Sequence, residues 1–364
     1  MSTALFQPFR LRSTEFRNRL WVPPMCQYSA DTLDGRAGQW HRVHYGAMSR
    51  GGAGAIIIEA TAVTPEGRIS PYDLGLWDDN HVDSLTTVVE TIHAHGAKVG
   101  IQLAHAGRKG STYRPWSESD PGTAVRGSLS PREGGWDTIA PSAIEYPGFR
   151  TPQAASISDI ERLIDAFGQA AQRAEAAGVD CVEIHAAHGY LIHEFLSPLS
   201  NTRNDRYGGT LENRARFLRE IVEAVRGQVS DTMPLVVRIS ATDWAEGGIT
   251  IDESIEVARW LKDDGVDLLS VSAGGNVSGI SVASGPGYLV PIATAIREVV
   301  GIPTATVGFI TRPEQAEQIV LTGLADVVLV GREFLRDPHF GLRAAQELGA
   351  QIPYLPAPYQ RAYR

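Results

Sequence analysis

Short apolar runs rich in branched residues recur along the chain, each followed by a stretch of helical periodicity. They fall at residues 20–22, 55–59, 98–103, 181–185, 235–239, 268–272, 303–306 and 327–330. Runs of this kind, mostly apolar and rich in branched residues, mark strands buried on both faces, as a parallel sheet requires. Between them the helices are legible. Leu85, Val88, Val89 and Ile92 form one apolar stripe, and Ile160, Leu163, Ile164 and Phe167 form another. Ser158 with Glu161 and Thr311 with Glu314 have capping-box spacing, and Pro313 suits a first helical turn. Gly96, Gly178, Gly265 and Gly323 are placed to end helices before the next strand.

Strand-then-helix units in this number predict an α/β chain folded as a closed TIM-type (β/α)8 barrel; an open sheet with extra strands is the competing arrangement. One connection is too long for a simple crossover. Residues 105–155, between the third and fourth strands, are rich in Gly, Pro and Ser and read as a cap over the barrel mouth. No linker divides the chain, so residues 1–364 are expected to form one domain.

Composition narrows the partners. A formal charge of −9, from 33 basic against 42 acidic residues, leaves no basic face for nucleic acid. No window reaches the roughly eighteen uninterrupted apolar residues of a membrane span. The two cysteines, Cys26 and Cys181, lie far apart, and the opening residues carry no secretory leader. A reducing cytoplasm is the expected location.

Working residues of such barrels sit at the carboxyl ends of the strands. Here those ends deliver Pro23 to Tyr28, then Gln102 through Arg108, then His185, His188 and Tyr190. Arg238 follows, then Gly274, Gly275 and Asn276, then Gly308, and last Gly331 with Arg332. Polar groups collect at one rim.

His185 and His188, three residues apart on a turn leaving a strand, admit three readings. They could grip and polarise a carbonyl oxygen, ligate a metal in a hydrolase or lyase, or be packed histidines with satisfied nitrogens. No second His pair at another strand end supports a metal. Tyr190 beside them favours the first reading, because a phenol there can act as general acid. Gly308, Gly331 and Arg332 suit a phosphate, which needs close backbone approach and a cation. Gly51-Gly52-Ala53-Gly54 precedes its strand and is no dinucleotide fingerprint. Arg238 at the end of a buried strand needs an anion: either a bound one, or the carboxylate of Glu59 or Glu183. Cys26 has no neighbouring base in sequence and reads as an inert thiol.

Taken in order, these residues resemble the old yellow enzyme family, in its thermophilic-like branch, over almost the whole chain. The resemblance runs from Arg17-Asn-Arg-Leu and Pro24-Met-Cys-Gln-Tyr28 through Trp40-His-Arg-Val-His-Tyr45, Gln102-Leu-Ala-His-Ala-Gly-Arg108 and Ile139-Ala-Pro-Ser142. Its most specific part is His185-Ala-Ala-His-Gly-Tyr-Leu-Ile-His-Glu-Phe-Leu-Ser-Pro198, followed by Asn204-Asp-Arg-Tyr-Gly-Gly-Thr-Leu-Glu-Asn-Arg214, and it closes at Gly331-Arg-Glu-Phe-Leu335.

The resemblance implies FMN across the barrel mouth, with Pro24, Met25, Cys26 and Ala60 along its ring system and Gln102 on its pyrimidine edge. Arg238 would sit near N1 and O2, and Gly308, Gly331 and Arg332 would hold the phosphate. His185 and His188 would bind the oxygen of an α,β-unsaturated carbonyl, Tyr190 would protonate its α-carbon, and Tyr28 would assist binding. NADPH or NADH would reduce the flavin in the same pocket. Cys26 would tune the flavin potential. Arg361, in a tail spanning residues 351–364, would reach a neighbouring subunit's site, which implies a homodimer or homotetramer. The insert at 117–136 and Tyr363 depart from the simplest members. Larger relatives with an iron–sulfur cluster do not fit a chain with two cysteines.

Overall fold

A computed structural model describes residues 3–116 and 126–363; residues 117–125, and with them the first part of the insert singled out in the sequence, lie outside the described residues. The eight apolar runs are strands: β1 (Leu20–Val22), β2 (Ala55–Ala62), β3 (Lys98–Ala104), β4 (Cys181–Ala186), β5 (Leu235–Ser240), β6 (Leu268–Ser272), β7 (Thr304–Thr306) and β8 (Val327–Leu329). Each pairs in parallel with the next, and β8 returns to β1 through Val328 opposite Leu20, so the sheet closes into a barrel. The outer layer is α1 (Gln39–Arg50), α2 (Val82–His93), α3 (Ile157–Ala176), α4 (Leu191–Leu196), α5 (Leu211–Arg226), α6 (Ile251–Asp263), α7 (Val290–Val300), α8 (Pro313–Leu321), α9 (Arg332–Arg336) and α10 (Phe340–Glu347).

Two cores follow from the period of two along each strand. Outward residues such as Ile56, Ile58, Val182, Ile184, Val237 and Val271 pack under the helices. Inward residues Trp21, Ile57, Cys181, Val236, Leu268 and Val327 fill the barrel, and Leu11 and Phe16 of an N-terminal hairpin join them. That hairpin packs at the end where the strands begin, with the Phe16 and Trp21 rings 4.3 Å apart. The interior is tight: a Cβ on Gly100 would stand 2.5 Å from Ile57 Cδ1 and 2.7 Å from Cys181 Sγ.

β1 and β6 match the sequence expectation at both ends, and the other six strands differ from it at one end by one to three residues. β2 runs on to Ala62 because a register shift between Ile58 and Ala60 lets it continue past Glu59. β7 starts after Pro303, which has no N–H to donate. Both helical stripes are buried, apart from a half-buried Ile164. Both proposed capping boxes are corrected. Helix α3 begins at Ile157, so its cap is Ser156, whose hydroxyl accepts from Asp159 N–H, while Ser158 already lies inside the first turn. Pro313 can occupy only the first turn of α8, which makes Arg312 the cap residue and leaves Thr311 outside. The four helix-ending glycines all have positive φ, between 72° and 90°.

Candidate active site

Strand alternation builds the site. Cys181 faces the barrel interior among apolar residues, so Glu183 and His185 continue the same column toward the carboxyl end. Parallel register then sets Gln102 beside Glu183, and Arg238 beside both His185 and Ser270. The interior therefore turns from hydrocarbon to polar groups within two residues of each strand. His185 and Arg238 are buried, 3 % and 6 % exposed.

Past β4 the chain turns sharply, with His188 at φ 60° and Gly189 at φ 71°. This turn brings the rings of His188 and Tyr190 to 5.2 Å and 5.1 Å from that of His185, each edge-on. His188 Nε2 lies 2.7 Å from Ser272 Oγ at the end of β6, a partner that the sequence reading missed. His185 Nδ1 is buried without a hydrogen-bond partner. Burial, with the Arg238 charge added, holds both imidazoles well below their ordinary range, so they are neutral at pH 7. Burial, with Cys26 and Asp73 adding to it, pushes the Tyr190 phenol well up, so it keeps its proton.

Lys109, from a short turn after β3, donates to the carbonyls of His188 (2.6 Å) and Gly275 (3.0 Å). Its ammonium stands 4.8 Å from the centre of the Tyr190 ring. No pattern in the sequence marked it, because the contact joins loops that are far apart in the chain.

A cavity of about 340 Å³ opens at the same end of the barrel. Pro24, Met25, Arg238, Gly308, Gly331 and Arg332 line it, six of the nine residues expected to hold a cofactor. Both glycines keep the backbone close to the cavity. Gly308 has φ 123°, and a Cβ on it would press 2.9 Å from the Tyr288 ring; one on Gly331 would lie 3.2 Å from Met25 Sδ. The Arg332 guanidinium lies 4.3 Å from the Phe309 ring centre, and Arg336 lines the same cavity, unforeseen from sequence.

Arg238 Nε is buried with no hydrogen-bond partner. Of the two carboxylates open to it from sequence, Glu59 is taken: it accepts from Gln27 N–H (2.6 Å) and from the Tyr45 hydroxyl (3.0 Å), with His41 3.5 Å away. Glu183 does act on Arg238, but it already accepts from Gln102 Nε2 at 2.6 Å, and burial raises its pKa. A buried cation with an unused donor in an open cavity is suited to an anionic or electron-rich ligand edge. With glycines at close-approach positions and Arg332 nearby, the cavity fits a planar group that carries a phosphate.

The other expected residues, Arg361 apart, belong to strands and loops at the same end of the barrel. Ala60 pairs with Gln102 in the sheet, and Ala60 and Tyr190 line one narrow gap. The Cys26 thiol is pushed well up by burial and by Asp73 and Glu59, which makes it a weak nucleophile. Tyr28, at φ 50°, packs edge-on against Trp116 at 5.8 Å. Arg361 is exposed and is not brought to the mouth of its own barrel. Its tail is held through Tyr354 on Asn18, just before β1, and through Tyr359 near His339 and Arg50. Among the described residues no three His, Cys, Asp or Glu side chains gather to hold a metal, which leaves the His pair without the partners a metal site needs.

Comparison with known proteins agrees with this geometry. Residues 4–351 match the NADH:flavin oxidoreductase / NADH oxidase family. An NADPH dehydrogenase of Geobacillus thermodenitrificans is 47 % identical over 365 aligned positions, covering 100 % of both chains. An old yellow enzyme homologue from Zymomonas mobilis superposes with a TM-score of 0.77 at 29 % identity, over 95 % of this chain and 94 % of its own. A 2-naphthoyl-CoA reductase gives 0.84 at 27 % identity over 94 % of this chain, which spans 52 % of that longer protein. FMN is accordingly the cofactor, with NAD(P)H as the hydride donor. The chain belongs to the NADH:flavin oxidoreductase / NADH oxidase family, as a member of its old yellow enzyme group, and is an NAD(P)H-dependent flavin oxidoreductase.

Proposed function

We propose that the enzyme reduces the activated C=C bond of α,β-unsaturated carbonyl compounds. The observation that carries this reading is the convergence of two imidazole rings and one phenol ring beside the cavity lined by Arg238, Gly308 and Gly331. Bound FMN, reduced by NAD(P)H, supplies the hydride.

Pro24, Met25, Cys26 and Ala60 would line the flavin ring system, and Gln102, steadied by Glu183, would hydrogen-bond its polar edge. Arg238 would find there the electron-rich partner it lacks within the protein. Gly308, Gly331 and Arg332 would hold the phosphate. His185 and His188 would donate hydrogen bonds to the substrate carbonyl oxygen. Neutral imidazoles suit that task, since each can present one N–H without the cost of a buried charge. Ser272 fixes the ring of His188, so its other nitrogen, Nδ1, is left for a ligand. Polarising the carbonyl makes the β-carbon electrophilic, and Tyr190 delivers the proton to the α-carbon. Tyr28 would border the substrate. The same pocket would receive NAD(P)H and the acceptor in turn, which accounts for a single barrel serving both.

The described parts of the 105–155 connection would cap the mouth of a single-domain barrel, and Arg361 would complete the site of a neighbouring subunit in a homodimer or homotetramer. The exposure of Arg361 and the attachment of its tail where the strands begin favour action on a second copy. An absorption spectrum with anaerobic bleaching by NADPH and recolouring by cyclohexenone tests the whole reading. Bleached enzyme that cyclohexenone fails to reoxidise would refute the substrate class and leave the flavin assignment standing.

A further inference from the structure

The turn that carries His188 and Tyr190 packs against a buried polar pair not used in the chemistry above. Gly189 N–H donates to His193 Nδ1 at 2.9 Å. A ring nitrogen that accepts bears no proton, so the His193 imidazole carries its hydrogen on Nε2. That nitrogen stands 3.1 Å from Asp243 Oδ1, off the line of a well-aligned hydrogen bond, and both side chains are 0 % exposed, so each atom has the other as its nearest charged neighbour. The second oxygen of Asp243 accepts from Ser197 Oγ at 2.6 Å and from Ile249 N–H at 3.1 Å. Burial alone would raise the Asp243 carboxyl, but His193 and Ser197 hold it below its usual range, so it stays ionised.

The turn needs such support. His188 is a non-glycine residue at φ 60°, a conformation that L-residues adopt at a steric cost. Its N–H is held by Ser240 Oγ at 2.9 Å and its carbonyl by Lys109. The Gly189 amide, between the two working side chains, has His193 as its acceptor.

We propose that His193 and Asp243 are a tautomer-locking positioning pair: Asp243 fixes the imidazole proton on Nε2, so that Nδ1 remains an acceptor for Gly189 and the His188–Gly189–Tyr190 turn keeps its shape. The proposal rests on the roles given above to His188 and Tyr190. Neither member of the pair touches substrate; each acts through the backbone. The logic is that of an acid that orients a histidine by choosing its tautomer.

Asp243→Asn tests it at constant shape. The oxygen that receives two donors must remain an oxygen, because Ile249 N–H cannot reverse. The new amide nitrogen therefore faces His193 Nε2, which must give up its proton and accept. The proton moves to Nδ1, where it opposes Gly189 N–H. In the flavin-loaded enzyme, Asp243→Asn should lower cyclohexenone turnover on the order of 10²-fold, the effect of a misplaced site group. Phenol should bind more weakly, and hydrogen exchange of the segment around Gly189 should speed up.

A second pair of variants separates positioning from plain stability. His193→Asn puts an amide oxygen near the former Nδ1 and leaves Asp243 short of a donor. His193→Gln reaches Asp243 and leaves Gly189 without an acceptor. The Asn variant should be the more active and the less stable of the two. Activity that follows melting temperature, with Gln above Asn, would reduce the pair to a structural prop, as would an Asp243→Asn enzyme matching wild type in exchange and phenol binding. Wild-type enzyme that reduces no enone would instead overturn the substrate reading, while the exchange measurement still judges the pair.

Discussion

Replacing Arg238 by methionine should strengthen or spare the empty protein while weakening its hold on FMN. The guanidinium is buried, its Nε has no partner, and Glu183, the carboxylate that acts on it, already accepts from Gln102. Replacing a whole buried ion pair by apolar groups is often neutral, or stabilising by roughly 1–4 kcal/mol, and removing Arg238 approaches that case once Glu183 takes up a proton. Glu183 tolerates the loss, because burial already raises its pKa and a protonated carboxyl can still accept from Gln102. Flavin binding loses a charge-assisted hydrogen bond, worth roughly 1.5–3 kcal/mol. At about 1.4 kcal/mol per decade, FMN affinity should fall roughly ten- to hundredfold. Urea unfolding of flavin-stripped protein gives the first quantity, and FMN fluorescence quenching on titration gives the second. A stripped variant that loses about 3–5 kcal/mol, the signature of a broken buried pair, with unchanged FMN affinity, would show that Arg238 serves Glu183 and not the cofactor.

Other tests address separate parts of the site. Tyr190→Phe should slow enone reduction while NAD(P)H still bleaches the flavin; loss of bleaching instead would remove its role as proton donor. His185→Ala should weaken phenol binding, read by spectral titration, and unchanged affinity would count against an oxygen-binding pair. Gly331→Leu should cut the flavin content of purified enzyme, because the new side chain meets Met25 Sδ and Pro23; full occupancy would place the phosphate elsewhere. Glu194 is buried, and its pKa is raised by that burial to about 8, above an ordinary 4.5. A raised carboxyl favours the fold fully below its unfolded pKa, and that contribution is lost as pH climbs through 8. Glu194→Gln should therefore match wild type near pH 5 and out-melt it near pH 9, and parallel melting curves would refute a buried neutral acid.

The barrel was legible because its signal is local and repeated. Runs such as Leu235 to Val237 are apolar on both faces only in a parallel sheet enclosed by helices, and glycines at 96, 178, 265 and 323 mark where four helices end before the next strand. The rim residues could be read because strands place their carboxyl ends at one mouth, so His185, Arg238, Gly308 and Gly331 fall together once the order is known. The caps at Ser158 and Thr311 were misread for a physical reason. Capping spacing is satisfied by more than one serine or threonine near a helix start, and only the backbone, or a neighbouring proline, decides between them.

What the sequence determined by itself was therefore the architecture and the chemical character of the rim, since both follow from periodicity and from residue types at strand ends. Tertiary structure decided which partners those residues meet. Whether Arg238 answers to Glu59 or Glu183 depended on Tyr45, Gln27 and His41 capturing Glu59, residues brought from other elements. Ser272 beside His188, Lys109 over Tyr190, and Asp243 against His193 are likewise contacts between segments far apart in the chain. Hydrogen bonds depend on distances of a few ångströms in space, and strand order fixes only which loops share a rim, so these pairings could not be read before the chain was folded.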